Sequence, residues 1–159
     1  MHNTTRRIAT PKSLVIRALT RLLGDTHRWL YRLTGGAIGS RFRGGQVLLL
    51  TTLGRKTGRA HTWPLIYFQD GQTWIIVGSN SGLDHHPAWY LNLRHHAQAQ
   101  IEIGRQRLSV NAREVEGAEW HRLWQLVIRS APFYDGYRQS TRRHIPLMIL
   151  APLAHENQH

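Results

Sequence analysis

The amino-acid sequence predicts a mainly β protein with helices (α+β), built as a closed or split β-barrel with helical additions. Two observations favour this fold. Six short apolar runs have the length of strands and are separated by glycine-containing turns, and most helical segments are inserted late in the chain. With 159 residues, 41% of them apolar, the chain is long enough to bury one core, so we expect a single folded domain.

The first predicted element is a basic amphipathic helix over residues 13–33. Apolar side chains recur there every three or four residues, and arginines fall on the opposite side. A glycine-rich connector follows over residues 34–45. Such a helix suits two roles. It can pack on the domain with its arginine face in water, or its arginine face can contact an anionic membrane surface.

Three strands in an antiparallel meander are predicted next. We expect them at residues 47–53, 60–68 and 73–79. The glycine-bounded turn TTLGRKTG at residues 51–58 joins the first two strands, and Asp70-Gly71 joins the second to the third. Pro64 has no backbone N–H group, so it places the second strand at a sheet edge or at a bulge.

The second half of the chain adds helices to further strands. We expect a helix at residues 87–96, a hairpin of strands at 97–104 and 107–115, a helix at 117–129 and a last strand at 145–150. Pro87 suits the first turn of its helix, and Asp84 is a nearby candidate for its cap. The expected organisation is residues 1–45 for the N-terminal helix and connector, 46–153 for the barrel domain and 154–159 for a polar tail.

The charge of the chain is strongly positive. It has 21 basic residues against 9 acidic ones, a net charge of +12 with neutral histidines, which attracts nucleic acid, anionic lipid or a ligand with phosphates and carboxylates. The absence of cysteine excludes disulfides, thiolate metal sites and cysteine nucleophiles, and it agrees with a cytoplasmic location. We identify no signal peptide, and no apolar run approaches the length of a transmembrane helix.

Conventional catalytic groups are scarce. The nine carboxylates show no close pair, and the two adjacent histidine pairs have no further ligand at metal-binding spacing, so we expect no metal. GRKTG is not a P-loop, because that motif has four residues between its glycines and precedes a helix. The turn nevertheless suits a phosphate, since Arg55 and Lys56 supply positive charge and freed backbone N–H groups can form an anion nest.

A polar loop and several aromatic side chains suit a flat ring. GSNSG at residues 78–82 can offer backbone donors and the Ser79 hydroxyl to the polar edge of such a ring. Trp89, Tyr134 and Tyr137 can form walls around an aromatic ligand.

Together these motifs resemble the deazaflavin-dependent nitroreductase family, the coenzyme F420-dependent quinone reductases of actinobacteria and their relatives. The resemblance rests on LLLTTLGRKTGRAHTWPLIYF, VGSNSGLDHHPAWYLNL and FYDGYRQSTRRHIPLMIL, between residues 47 and 152. It implies a split β-barrel related to FMN-binding and pyridoxamine-phosphate-oxidase folds. It also implies transfer of a hydride from reduced F420, a deazaflavin with a phospholactyl oligoglutamate tail, to a quinone, nitroaromatic or similar electron-poor acceptor.

The resemblance also implies functional residues. Those that match the cofactor-binding segments are Arg55, Lys56, Thr57, Val77, Gly78, Ser79, Asn80, Ala88, Trp89 and Tyr90. Tyr134 and Tyr137 match tyrosines of the substrate pocket, and we expect Tyr134 to donate a hydrogen bond or proton to the acceptor, with Tyr137 as a second donor. Many relatives have lysine where Asn80 stands, so one positive contact is missing here. Some nitroreductases have tyrosine where Ala131 stands, which predicts a more open pocket.

Three alternatives stay open from the sequence. The same barrel can hold FMN, because both cofactors offer a ring and a phosphate. The charge alone suits a nucleic-acid-binding protein, although no helix-turn-helix, zinc-finger or RNA-recognition signature is present. A membrane-surface module is the third. We favour the F420 enzyme without a nucleic-acid partner. The sequence leaves the oligomeric state open, although related split barrels often pair as homodimers. It also leaves open whether the N-terminal helix contacts the inner face of the membrane.

Overall fold

The structure, a computed structural model, describes residues 41–43 and 45–153. The predicted N-terminal helix, most of the connector and the polar tail lie outside the described residues. The elements in chain order are β1 (Arg41–Phe42), β2 (Gly45–Leu53), β3 (Ala60–Asp70), β4 (Thr73–Val77), a 3-10 turn (Asn80–Gly82), α1 (Ala88–His95), β5 (Gln98–Ile103), β6 (Gln106–Glu114), α2 (Gly117–Ser130), α3 (Phe133–Ser140) and β7 (Leu147–Pro152).

The strands form one antiparallel sheet that closes on itself. Their order is β1-β2-β3-β4-β7-β6-β5, and β2 also pairs with β5, for example through Leu50 opposite Ile101. This second pairing of β2 brings β5 back to the start of the sheet and closes the barrel. The predicted β-barrel and its initial meander are therefore confirmed.

Strands β4 and β7 are buried on both faces of the barrel wall, and their successive side chains, which point to opposite faces, enter two different clusters. One cluster of buried side chains includes members from each of the six long strands, so it fills the barrel interior. The other lies between β4 and β7 on one side and α2 and α3 on the other. Ile76 of β4 accordingly belongs to the interior, whereas Ile75 and Val77 belong to the outer cluster. This two-sided burial explains why these strands appear as continuous apolar runs.

The helices complete these two clusters. The predicted stripe of α2, formed by Trp120, Leu123, Trp124 and Val127, is buried in the outer cluster. From α1, Trp89, Tyr90 and Leu93 insert into the interior cluster. No helix among the described residues is long and apolar enough to cross a membrane.

Pro64 lies where β3 has a partner on one side only. The strand pairs with β2 from Ala60 to Tyr67 and with β4 from Tyr67 to Asp70, so residues 61–66 have their second side open. A residue without an N–H group is tolerated at such an edge. The prediction that Pro64 lies at an edge is confirmed, and its register with β2 is continuous.

The structure differs from the expected elements in several places. The connector contains β1, whose residue Phe42 pairs with Gly45, so the sheet begins before the expected boundary at residue 46. The last strand starts two residues late, because the carbonyl groups of Ile145 and Pro146 accept hydrogen bonds from Trp120 Nε1 and the Gly78 N–H group. The tyrosine-rich segment, to which the sequence assigned no element, is the helix α3.

Truncation of a buried side chain in the β2–β5 pair should destabilise the fold. Leu50 is fully buried in the interior cluster, so Leu50→Ala removes apolar contacts and leaves a cavity, at a cost of about 2–5 kcal/mol. Leu53, on the same strand, is 44% exposed and serves as the matched control, with an expected cost of roughly 1 kcal/mol or less. Urea unfolding measures both changes. Equal losses of unfolding free energy would contradict closure at this pair.

Candidate active site

A cavity of about 810 Å³ opens beside the unpaired side of β3. Its walls are residues 63–66 of β3, the loop after β4, the first turn of α1, and α3. A volume of this size suits a cofactor or a drug-sized ligand. Arg43 and Arg55 are part of the lining, whereas no aspartate or glutamate of the described chain is, so the cavity favours an anionic ligand.

Most of the predicted site residues meet at this cavity. Those that line it are Arg55, Val77, Ser79, Asn80, Ala88, Trp89, Tyr134 and Tyr137. Lys56, Thr57, Gly78 and Tyr90 do not line it. Lys56 and Thr57 are exposed on the adjoining turn, and Tyr90 is buried in the barrel interior. The tyrosine hydroxyl donates there to the carboxylate of Glu114 at 3.0 and 3.1 Å.

Several backbone N–H groups of the turn between β2 and β3 donate hydrogen bonds within the turn itself. The N–H groups of Thr57 and Gly58 donate to the Gly54 carbonyl at 3.3 and 2.7 Å, and the N–H group of Arg59 donates to Thr57 Oγ1 at 3.3 Å. Gly58 has a φ of +66°, in the left-handed region that glycine adopts without strain. These bonds occupy most of the N–H groups that the predicted anion nest would use, because they close the turn. An anion at this turn would be held by side chains.

Asn92 of α1 ties this turn to the barrel. Its side chain is 3% exposed, and its Oδ1 accepts hydrogen bonds from the Arg55 N–H group at 3.1 Å and from Arg55 Nη1 at 3.4 Å. Its Nδ2 donates to the buried Thr52 Oγ1 at 3.1 Å. Asn92 thereby fixes both the backbone and the guanidinium of Arg55. Sequence reasoning missed this residue, although a polar side chain within the apolar segment PAWYLNL was a signal for it.

The loop after β4 has an unusual backbone. Asn80, Ser81 and Gly82 have consecutive φ values of 46°, 54° and 77°. Left-handed conformations of residues other than glycine cost on the order of 1–3 kcal/mol each, and they persist only where the surroundings fix them. A side chain at Gly82 would collide with Ser140 of α3, so the loop packs closely against that helix.

Arg143 fixes the carbonyl groups of this loop. Its guanidinium donates to the carbonyls of Gly78 at 3.0 Å, Ser79 at 2.6 Å and Leu83 at 2.8 Å. A further N–H group lies 3.2 Å from His86 Nδ1. One planar group with five donors can satisfy several carbonyls at once. The sequence did not reveal this role, because nothing in the segment TRRH distinguishes one arginine from the other.

Asp84 does not cap α1. Its Oδ1 accepts hydrogen bonds from Thr141 Oγ1 at 2.8 Å and from the Arg142 N–H group at 3.4 Å, and these bonds lower the pKa of the Asp84 carboxyl. The residue before α1 is Pro87, which makes no side-chain cap. The expected cap was wrong, because the carboxylate is engaged by the segment after α3.

Aromatic side chains of α3 form the wall with the predicted catalytic tyrosines. Tyr134 stacks on Phe133 at 4.7 Å and meets Tyr137 edge-on at 5.8 Å. Burial raises the pKa of the Tyr134 phenol, with a smaller contribution from Tyr137, so the phenol keeps its proton at neutral pH and can donate it in a hydrogen bond. Ala131 is buried in the outer cluster and does not line the cavity, and the more open pocket stays a prediction.

Arg43 is a further cavity residue that the sequence did not reveal, because it falls in the predicted connector. Its Nη1 donates to the Tyr137 hydroxyl at 2.8 Å, and its guanidinium lies 4.3 Å from the centre of the Phe133 ring. The Tyr137 oxygen accepts from a cation, which leaves its own proton available to a ligand.

Barrel, cavity and donors together define a class of protein: a split β-barrel that binds a planar, anionic, flavin-like cofactor beside an acceptor pocket. A model of the F420H(2)-dependent quinone reductase family matches residues 24–152. The chain belongs to this family.

Curated relatives agree with this assignment. An F420H(2)-dependent quinone reductase of Mycobacterium tuberculosis is 38% identical over 128 residues, which cover 78% of this chain and 86% of that protein. A putative F420H(2)-dependent quinone reductase from the same organism is 35% identical over 105 residues, 66% of this chain and 88% of that protein.

Solved structures show the same fold. An F420-H2 dependent reductase superimposes with a TM-score of 0.61 at 32% identity, covering 65% of this chain and 92% of its own. A structure described as a domain-swapped dimer has a TM-score of 0.64 at 29% identity, covering 89% and 99%. The heme storage protein HutZ of Vibrio cholerae, at 19% identity and a TM-score of 0.53 over 72% and 85%, shares the fold.

The bonds of Asn92 generate a prediction. Asn92→Ala leaves the Arg55 N–H group and Thr52 without their partner, at an expected cost of about 1–3 kcal/mol in unfolding free energy. The exposed Asn111 of β6 provides the control, since Asn111→Ala should cost about 0.5 kcal/mol or less. Urea unfolding and amide hydrogen exchange at Arg55 measure the effect. Unchanged exchange at Arg55 in Asn92→Ala would show that Asn92 does not hold the turn.

Proposed function

We propose that this chain is an oxidoreductase that uses reduced coenzyme F420 to reduce a quinone bound in the cavity between β3 and α3. The observation that carries the proposal is the cavity itself, in which cationic groups, a polar loop and aromatic walls surround one continuous space. When bound, F420 supplies the redox chemistry, because its deazaflavin moves electrons as a hydride pair. The FMN alternative is not needed for a member of this family.

The cationic part of the cavity suits the phosphate of the cofactor. Asn92 holds the Arg55 guanidinium at the cavity wall, and Lys56 and Thr57 lie beside it on the turn. Exposed ion pairs contribute little individually, but a positioned arginine adds charge-assisted hydrogen bonds to a phosphate oxygen. We assign phosphate binding to these side chains and none of it to the backbone of the turn.

The loop after β4 and the start of α1 suit the planar ring. Ser79 and Asn80 line the cavity with polar groups, and Val77, Ala88 and Trp89 line it with apolar ones. Trp89 is 3% exposed and anchored in the barrel interior, so its ring is a fixed surface. Gly78 acts differently from the prediction: its N–H group binds the Pro146 carbonyl and its own carbonyl accepts from Arg143, so it positions the loop.

The α3 wall suits the acceptor. Tyr134 and Tyr137 both line the cavity, and an acceptor oxygen that gains negative charge during reduction is stabilised by hydroxyl donors of this kind. Neither hydroxyl needs to lose its proton to act in this way. Quinones fit this description, and we extend it to nitroaromatic acceptors, whose oxygens present the same chemistry.

Two further proposals depend on other parts of the chain. A homodimer is supported by the similarity to a structure described as a domain-swapped dimer. Contact with an anionic membrane surface rests only on the basic amphipathic pattern of residues 13–33, which lie outside the described residues.

Removal of the turn charges tests the phosphate site. In the double variant Arg55→Gln/Lys56→Gln, loss of two cationic donors should raise the dissociation constant of F420 by roughly 10- to 100-fold. Arg105→Gln/Arg129→Gln removes the same charge from exposed residues that do not line the cavity, and it should leave binding nearly unchanged. Quenching of F420 fluorescence measures both. Equal weakening in the two double variants would indicate general attraction by net charge and no phosphate site.

Removal of a hydroxyl tests the acceptor wall. Tyr134→Phe should lower kcat for quinone reduction by about 100-fold, because a donor to the developing charge is lost, and should leave F420 affinity intact. Tyr67→Phe alters a tyrosine of the barrel interior that does not line the cavity, and it controls for effects on packing. Steady-state kinetics and F420 titration are the measurements. Normal turnover in Tyr134→Phe would refute its role as donor.

A further inference from the structure

His86 is a cavity residue to which neither the sequence nor the proposed function assigns a role. It directly precedes Pro87, lines the cavity, and is half-buried. Its ring packs against the Tyr90 ring at a centroid distance of 4.7 Å and an angle of 39°. Its Nδ1 lies 3.2 Å from Arg143 Nη1. Two contacts therefore fix the orientation of the imidazole relative to the cavity.

The contact with Arg143 determines the tautomer of His86. A guanidinium has donors and no acceptor, so Nδ1 must accept the hydrogen bond. A neutral imidazole has one acceptor and one donor nitrogen, so the proton lies on Nε2. The two ring nitrogens point in divergent directions. Arg143 engages Nδ1 and does not line the cavity, whereas His86 does, so Nε2–H is the ring donor left for a ligand in the cavity.

The charged groups around His86 keep the ring neutral. Burial and the positive charge of Arg143 lower the pKa of His86 from its ordinary value of 6.5, and Arg94 and His144 act in the same direction. Glu114, whose carboxylate is bound to the Tyr90 hydroxyl, opposes them, but the net shift is downward. At pH 7 the imidazole is therefore an uncharged group with one outward donor.

We propose that His86 donates a hydrogen bond, through Nε2–H, to a carbonyl oxygen of the molecule bound in the cavity. The inference rests on the proposed function, because the deazaflavin and the quinone are both carbonyl compounds. A neutral histidine held in one tautomer polarises a carbonyl without giving up its proton, and enzymes use it as an electrophile. This donor comes from the loop before α1, so it is independent of the hydroxyls on α3.

The tautomer is measurable without any ligand. Two-dimensional ¹H–¹⁵N correlation spectra of the histidine rings in the full-length wild-type protein should show His86 at pH 7 with Nε2 protonated and Nδ1 unprotonated. A titration should give a pKa below 6.5. A ring protonated on Nδ1, or a doubly protonated ring at pH 7, overturns the proposal before any variant is made.

Two substitutions separate the two ring nitrogens. The amide of glutamine reaches the position of Nε2, so His86→Gln keeps a donor at the cavity. The amide of asparagine reaches only the position of Nδ1, so His86→Asn keeps a partner for Arg143 and loses the donor. His95→Gln, at the end of α1 and away from the cavity, is the control. Thermal unfolding verifies that each variant is folded.

The readouts distinguish the two carbonyl sources. If the donor binds the deazaflavin, His86→Asn should raise the F420 dissociation constant by about 10-fold or more. If it binds the acceptor, the dissociation constant should stay the same and kcat/KM for the quinone should fall by that factor. In both cases the F420 dissociation constant and kcat/KM of His86→Gln should be close to those of the wild type and of His95→Gln.

Two failures have different meanings. Wild-type protein that does not bind F420 overturns the proposed function together with this inference. Wild-type protein that binds F420 and reduces quinone, while His86→Asn and His86→Gln behave alike, overturns only the role of His86.

The pH dependence provides a second readout. The pKa of His86 is lower in the folded protein than its value near 6.5 in the unfolded chain. At a pH between these two pKa values the unfolded chain binds more protons than the folded protein. The free energy of unfolding therefore falls as the pH drops through this range. Above the unfolded pKa this loss is absent. Protonation would also place a donor at Nδ1 against the Arg143 guanidinium. His86→Gln should remove this part of the acid sensitivity, and an unchanged pH profile in that variant would contradict the contact.

Discussion

The pairing of β2 with β5 closes the barrel, and the positions of the cavity walls follow from that closure. A closed barrel must be filled, and the strands here leave room that α1 occupies with Trp89, Tyr90 and Leu93. Once α1 is inserted, its buried polar residue Asn92 reaches the end of β2 and the turn beyond it. Apolar packing therefore sets the depth and rotation of α1, and the hydrogen bonds of Asn92 then fix a cation at the cavity.

The opposite wall depends on polar contacts more than on apolar packing. The loop after β4 carries three successive left-handed residues, which a free chain would rarely adopt. Arg143 binds the carbonyl groups of Gly78, Ser79 and Leu83, and α3 packs against Gly82. The site thus combines a rigid floor made by the barrel with a loop that is held by one guanidinium. This division agrees with the general placement of binding groups on loops supported by a rigid scaffold.

Local pattern predicted most of the fold, because strands buried on both faces appear as apolar runs and α2 has a buried stripe. Local pattern failed for features that depend on contacts between residues far apart in the sequence. Helix α3 is short, contains Gly136, and is stabilised by aromatic packing and by the loop after β4. Arg143 is 57–65 positions away from the groups that it binds, so its role is not visible in any local window. The motifs pointed to eight residues that line the cavity, but they could not show which donors the turn uses internally.

The contact between Arg43 and Tyr137 links the beginning of the described chain to the acceptor wall. The Tyr137 hydroxyl oxygen accepts a hydrogen bond from the guanidinium of Arg43, which lies only two positions before β2, and the same guanidinium covers the Phe133 ring. A change that displaces Arg43, such as a fusion or a truncation at this position, would therefore alter the cavity wall directly. A substitution at residue 43 would therefore change the surroundings of Tyr137 and Phe133 together.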